Sequence, residues 1–233
     1  MDIVLATGQS TSAEKGENVV TKIVDDISRS LENECYLAAL ALALTLPDIC
    51  GKAEYPHEES SKKRYIQWYD DNIGITEKPP KAAKSDTEMP YLSGEVVYSL
   101  RCQFLHQGTP NIETKKIKEE ACQIDDFTLL IQKKTSLDIY SDSAAVFSCG
   151  TDPDGKKPTH QLRSYEVNVR RLCMILCACA EGYYKENADK FNFFQYEIVD
   201  ADEREEQFLS EHPEARDFNW GNALMETIKD MEA

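Results

Sequence analysis

The segment CYLAALALALTLPDICG, Cys35 to Gly51, constrains the fold more than any other part of the sequence. It is apolar on nearly every side up to Leu46 and is ended by Pro47 and Gly51. A helix with no polar face has nowhere to put its side chains except between other helices, so it is expected to be the central member of a bundle. The apolar stretch from Tyr36 to Leu46 is 11 residues long. A membrane span needs about 20 apolar residues, and the N-terminal MDIVLATGQS lacks the basic start of a signal peptide. The expectation is a cytoplasmic protein with no membrane attachment.

Around this segment the pattern is helical. Val20, Ile23, Val24, Ile27 and Leu31 recur at three- and four-residue spacing, with Lys22, Asp25, Asp26 and Arg29 between them. KKRYIQWYDDNIG reads as a further helix with Tyr65, Trp68 and Tyr69 as its aromatic face, and EKPPKAAKSDTEMP as a loop. A helix from about Tyr91 to Gln107 follows, closed by Gly108 as a left-handed stop. Then the period changes. DDFTLLIQKK, AAVFSCG and QLRSYEV are β-type runs, the last two joined by the turn sequence TDPDGKKPT, so a small antiparallel sheet is expected. Helical spacing returns from Val167 to Lys185, and Phe218, Trp220, Leu224, Ile228 and Met231 mark an amphipathic tail helix. The expected fold is mainly α: a loose N-terminus over 1–16, a helical bundle over 17–198 with a β insertion at about 122–165, and an acidic C-terminal segment over 199–233.

Charge limits the partners. The formal net charge of −16 excludes indiscriminate binding to nucleic acid or anionic membranes, which needs a positive field. The charge is uneven, however: residues 199–233 hold 11 acids against 3 bases, whereas residues 101–171 hold 11 bases against 10 acids. An anion site is therefore to be sought in the middle segment.

Several chemistries are set aside. GTDPDGKK at 150–157 has the glycine-to-lysine spacing of a phosphate loop, but Lys157 stands where Ser or Thr would hold magnesium, and the sequence sits in a turn. Asp152 and Asp154 lack the other ligands of a calcium loop. The eight cysteines, with Cys173, Cys177 and Cys179 in one apolar run, read as free thiols rather than a metal site or a disulfide framework. No metal or cofactor is expected. Cys102 and His106, four apart on one helix, could form a thiol pair, but no oxyanion-hole pattern stands near them. His57 and His212 lie beside prolines in acidic loop sequence and His160 opens a strand, so each reads as a surface residue; only His106 ends an apolar helix, five residues after Arg101.

RCQFLH, Arg101 to His106, together with the helix order before it, resembles the R-x(4 to 6)-H signature of the HEPN superfamily, whose domains are helical bundles. The resemblance covers 17–110 and 165–188, with the sheet as an insertion. It implies a metal-independent ribonuclease site at a homodimer interface, in which Arg101 holds the scissile phosphate and His106 moves protons at the ribose 2′-hydroxyl and the leaving oxygen. Arginine's planar fork suits phosphate oxygens, and imidazole titrates near neutrality. Cys102 departs from the family pattern, where a polar residue commonly follows the arginine, and Lys115, Lys116 and Lys118 are offset by Glu119 and Glu120.

Helix geometry sets a condition of its own. Five residues at 100° each place Arg101 and His106 about 140° apart. Convergence is expected only if the helix loosens at His106 or a second copy supplies the partner group. Two other readings remain. Arg101 could neutralise Glu95 or Asp70 while His106 caps its own helix, or the protein could be a non-catalytic module that binds a protein partner through its acidic C-terminal segment.

Overall fold

The computed structural model describes residues 12–79, 89–109, 112–118, 123–133, 141–150, 160–194, 200–213 and 215. The N-terminal residues 1–11, most of the proline-rich loop, the 151–159 turn with nearly all of the phosphate-loop-like sequence, and the tail helix expected around 218–231 lie outside them. The chain divides into two compact units, Met1–Gln195 and Tyr196–Ala233.

The first unit is mainly helical with a three-stranded sheet. Its helices are α1 (Ser12–Glu32), α2 (Tyr36–Ala43), α3 (Leu46–Glu54), α4 (Ser61–Tyr69), the short α5 (Ile75–Glu77), α6 (Gly94–Gln107) and α7 (Val169–Glu186). Val20, Ile27 and Leu31 of α1 are buried, with Ile23 and Val24 packed against the core, as the amphipathic spacing requires. Tyr65, Trp68 and Tyr69 of α4 are all fully buried, as expected for its aromatic face.

The apolar segment departs from expectation in two ways. Pro47 does not end it; the helix resets at Leu44 and Thr45, and Pro47 lies in the first turn of α3, where its missing N–H is tolerated. Thr45 N–H and Oγ1–H both donate to the Leu42 carbonyl, at 3.0 and 2.6 Å, which closes α2. Nor is the segment enclosed on all sides: Leu40, Ala43, Leu44 and Leu46 are fully buried, but Leu37 is half exposed. By length and composition Tyr36–Glu54 could cross a membrane; here its buried face packs into the protein core.

The strands are β1 (Asp126–Leu130), β2 (Ser143–Cys149) and β3 (His160–Asn168), in the order β1-β3-β2. β2 and β3 are antiparallel, as expected, with Phe147 opposite Leu162. β1 instead runs parallel to β3, Leu129 opposite Val167, so the sheet is mixed rather than wholly antiparallel. The chain runs along β1, back along β2, and inserts β3 between them. Alternation in the sequence gives the faces of each strand but not its neighbour, and for this reason the order was not legible.

In the second unit α8 (Ala201–Glu211) occupies part of the acidic segment. Asp200 caps it, accepting from Asp202 N–H at 2.9 Å and Glu203 N–H at 3.2 Å.

Candidate functional site

Two glycines set the helices that carry the site. A Cβ on Gly51 of α3 would lie 2.8 Å from the Arg64 carbonyl oxygen, and one on Gly94 of α6 would lie 2.6 Å from the Ile66 carbonyl oxygen. The backbone of α4 is thus approached by α3 at one carbonyl and by α6 two residues on. This close packing fixes α3 relative to α6, and with it Asp48 relative to Arg101.

Helix α6 is well capped. Ser93 Oγ accepts from Val96 N–H at 3.4 Å, and Asp70 Oδ1, from the π-helical turn Asp70–Gly74, accepts from Gly94 N–H at 2.7 Å. Val96, Val97 and Leu100 are fully buried. The segment after the helix folds back along it: Glu113 N–H donates to Ser99 Oγ at 2.9 Å, and Lys118 N–H to Glu95 Oε2 at 2.7 Å. At the far end Gly108 takes φ 67° and donates its N–H to the Phe104 carbonyl at 3.1 Å, while Thr109 N–H reaches the Gln103 carbonyl at 3.4 Å.

Arg101 and His106 meet within one chain, Nη1 to Nε2 at 3.0 Å. The last turn of α6 remains closed, so neither a loosened helix nor a second copy is needed for this contact. The expectation of divergence held for the Cβ positions but neglected side-chain reach: the two residues are offset by roughly 7.5 Å along the axis, a gap that a long arginine side chain spans. A guanidinium only donates, so Nε2 is the acceptor in this contact.

The other edge of the guanidinium is held by a carboxylate. Arg101 Nε donates to Asp48 Oδ2 at 3.0 Å, and Nη2 lies 2.9 Å from the same oxygen. The partner is neither Glu95 nor Asp70, which bind backbone N–H groups, but an acid 53 residues away in sequence. Burial raises the Asp48 carboxyl above its ordinary range, outweighing the opposing pull of Arg101 and Arg64. Burial acts to lower Arg101, but the Asp48 charge and hydrogen bonds with Cys102 and Asp48 together raise it. Both side chains keep some exposure, 22% and 24%, and His106 is exposed. Two arginines thus act on Asp48, one of which, Arg64, also acts on Glu58.

Sequence reasoning missed Asp48, Arg64, Lys62 and Tyr98. Asp48 lies in the first turn of α3, where an acid reads as a favourable helix start. Tyr98, one turn before Arg101, sits edge-on against Tyr65 with ring centroids 5.3 Å apart, and Lys62 Nζ lies 5.7 Å from its ring centroid. Its hydroxyl is raised by burial and by a hydrogen bond with Cys102.

The remaining candidates sort differently. Cys35, Cys50, Cys102, Cys173, Cys177 and Cys179 are free thiols, and burial pushes Cys173 and Cys177 up to about 12, which makes them inert packing groups. His106 meets Arg101 rather than forming a thiol pair with Cys102. His57 and His212 are exposed. Among the described residues no group of three His, Cys, Asp or Glu could hold a metal. A half-open cleft of about 540 Å³, lined by Lys52, Glu54, Asp189, Lys190 and Phe193 among others, includes none of Arg101, Asp48 and His106.

No family model matches the chain, and no curated protein or solved structure is significantly similar to it.

Proposed function

We propose that this protein is a HEPN-like, metal-independent endoribonuclease that acts as a homodimer, with Arg101 holding the scissile phosphate and His106 moving protons. The observation that carries this reading is the 3.0 Å contact between Arg101 Nη1 and His106 Nε2 at the exposed end of α6. A cation and an imidazole share one small surface there. Asp48 grips the Nε and Nη2 edge, which leaves Nη1, the nitrogen on His106, as the one an incoming phosphate oxygen would take over.

The chemistry follows from those groups. When the Arg101 guanidinium turns to the phosphate and releases Nε2, His106 Nε2 accepts the proton of a ribose 2′-hydroxyl, and the freed oxygen attacks the adjacent phosphorus. Arg101 offsets the charge gathering on the non-bridging oxygens. The bond to the 5′-oxygen breaks, leaving a 2′,3′-cyclic phosphate, and an imidazolium returns a proton to the leaving oxygen. A homodimer supplies two imidazoles, so one can act as base while the other acts as acid.

The test is cleavage of single-stranded RNA by the purified full-length protein in EDTA. Activity is expected to persist in the chelator and to fall by roughly 10² to 10⁴ on His106→Ala, the usual value of a placed proton-transfer group. Arg101→Ala is expected to fall comparably. Absence of any RNA cleavage, or cleavage unchanged in both variants, overturns the reading.

A second reading rests on a different observation. On the acidic helix α8, Phe208 is 46% exposed beside His212, their rings 4.8 Å apart. A non-catalytic module would use this segment to hold a protein partner of basic and apolar surface. A pulldown in which deletion of residues 200–233 retains every partner rejects it.

A further inference from the structure

The Arg101 and His106 pair occupies only one end of a larger surface. Tyr98 lies one turn earlier on the same face of α6 as Arg101 and Cys102. Its ring is braced from beneath by Tyr65, which is fully buried, at an interplanar angle of 68°. Lys62 of α4 reaches over the ring. The neighbouring bases of α4 are engaged elsewhere: Lys63 pairs with Glu58 at 3.4 Å, and Arg64 Nη1 donates to the Glu58 carbonyl. Lys62 has no carboxylate partner among the described residues.

We infer that Tyr98 and Lys62 form a nucleotide subsite beside Arg101 and His106, in which an unpaired base stacks on the Tyr98 ring and the Lys62 ammonium takes the adjoining phosphate. The inference rests on the RNA reading of the neighbouring site and narrows its substrate to single-stranded RNA. A braced, partly exposed aromatic ring is a stacking platform for any base face, and a base face is presented only by an unpaired strand. A lysine over such a ring is held weakly at an exposed site, so an incoming base can displace it toward the backbone phosphate. The acidity of the rest of the chain sharpens the case: with −16 overall, RNA is held only where a few cations are aimed.

The experiment is fluorescence anisotropy with a labelled single-stranded oligouridine and, in parallel, a duplex RNA of equal length. Full-length protein carrying His106→Ala is used so that the probe is not cut. Adding Tyr98→Leu is expected to weaken oligouridine binding by roughly 5- to 100-fold, the span of one base stack, while Tyr98→Phe retains it. Adding Lys62→Ala is expected to lower the slope of log affinity against log salt by about 1. Circular dichroism melts of each variant show whether the fold is intact, and if Tyr98→Leu does not fold the salt slope of Lys62→Ala decides the subsite. If Arg101→Ala weakens binding but Tyr98→Leu and Lys62→Ala leave affinity and salt slope unchanged, the subsite is overturned and the RNA reading stands. If duplex binding falls as much as oligouridine binding on Tyr98→Leu, the single-strand assignment is overturned. If the probe does not bind the parent protein, both this inference and the RNA reading fall.

Discussion

The protein builds two arginine and carboxylate clusters from the same chemistry, and they differ in what each leaves free. At the start of α7, Arg171 engages Glu77 with both terminal nitrogens, at 3.1 and 2.7 Å, and Asp142 at 2.8 Å. Asp142 also accepts from Tyr165 Oη at 3.1 Å and from Asn168 N–H at 2.8 Å. The carboxylate side chains there are only 6% and 8% exposed. In the Arg101 cluster a single carboxylate holds one edge of the guanidinium, and the remaining nitrogen meets the His106 imidazole at the surface. The two arginine side chains are alike in exposure, 26% for Arg171 and 22% for Arg101, so the acids make the difference. A guanidinium held by two buried acids joins parts of a fold, whereas one tied to a single carboxylate has less to release before it meets a ligand.

The largest effect that separates them is on stability. Arg171→Leu is expected to cost about 3–5 kcal/mol, because it strands two buried carboxylates without their cation. Urea denaturation followed by circular dichroism measures it. A cost below about 1 kcal/mol would mean that the cluster is not structural and would remove the contrast.

Next comes the packing that sets the Arg101 cluster. Gly51→Ala drives a methyl group into the Arg64 carbonyl and is expected to cost about 1–3 kcal/mol. It should also reduce RNA cleavage more than its stability cost explains, since Asp48 is three residues away on the same helix. Stability loss with cleavage retained in the folded fraction would show that α3 does not position Arg101.

Arg101→Ala is expected to cost only about 1 kcal/mol, as for a partly exposed ion pair, while abolishing most RNA binding and cleavage. A cost equal to that of Arg171→Leu would erase the distinction between the clusters. It would favour a structural role for both.

These contrasts also mark how much of the molecule was legible. The aromatic face of α4, the amphipathic α1 and the Gly108 stop could be read because each is decided within a few residues. RCQFLH was legible for the same reason, being one turn and a half of one helix. Asp48 was not, because what joins it to Arg101 is the pair of glycine contacts on α4, and no local pattern announces a partner 53 residues away. The Arg171 cluster escaped notice for the same cause: its acids come from α5 and from the residue just before β2, 94 and 29 residues away. The parallel pairing of β1 likewise depends on where β3 inserts. The sequence pattern of a strand does not encode that.

The smallest expected effect is a tilt with pH. Asp48 is raised above its ordinary carboxyl range by burial, so between the unfolded value of 3.8 and the folded one the native state keeps its proton while the unfolded chain has lost it. The native state then binds more protons, and the contribution of Asp48 to stability is full below 3.8 and declines as pH rises through the folded value. Asp48→Asn cannot ionise and escapes that decline. Its stability relative to the parent is therefore expected to rise as pH increases from about 3 to 7, by an amount small beside the substitutions above. Melts of both proteins across that range give the comparison. A change in the opposite direction would mean that the attraction of Arg101 outweighs burial; Asp48 would then be a firm ion pair like those of Arg171, and Arg101 would be bound too tightly to yield to phosphate.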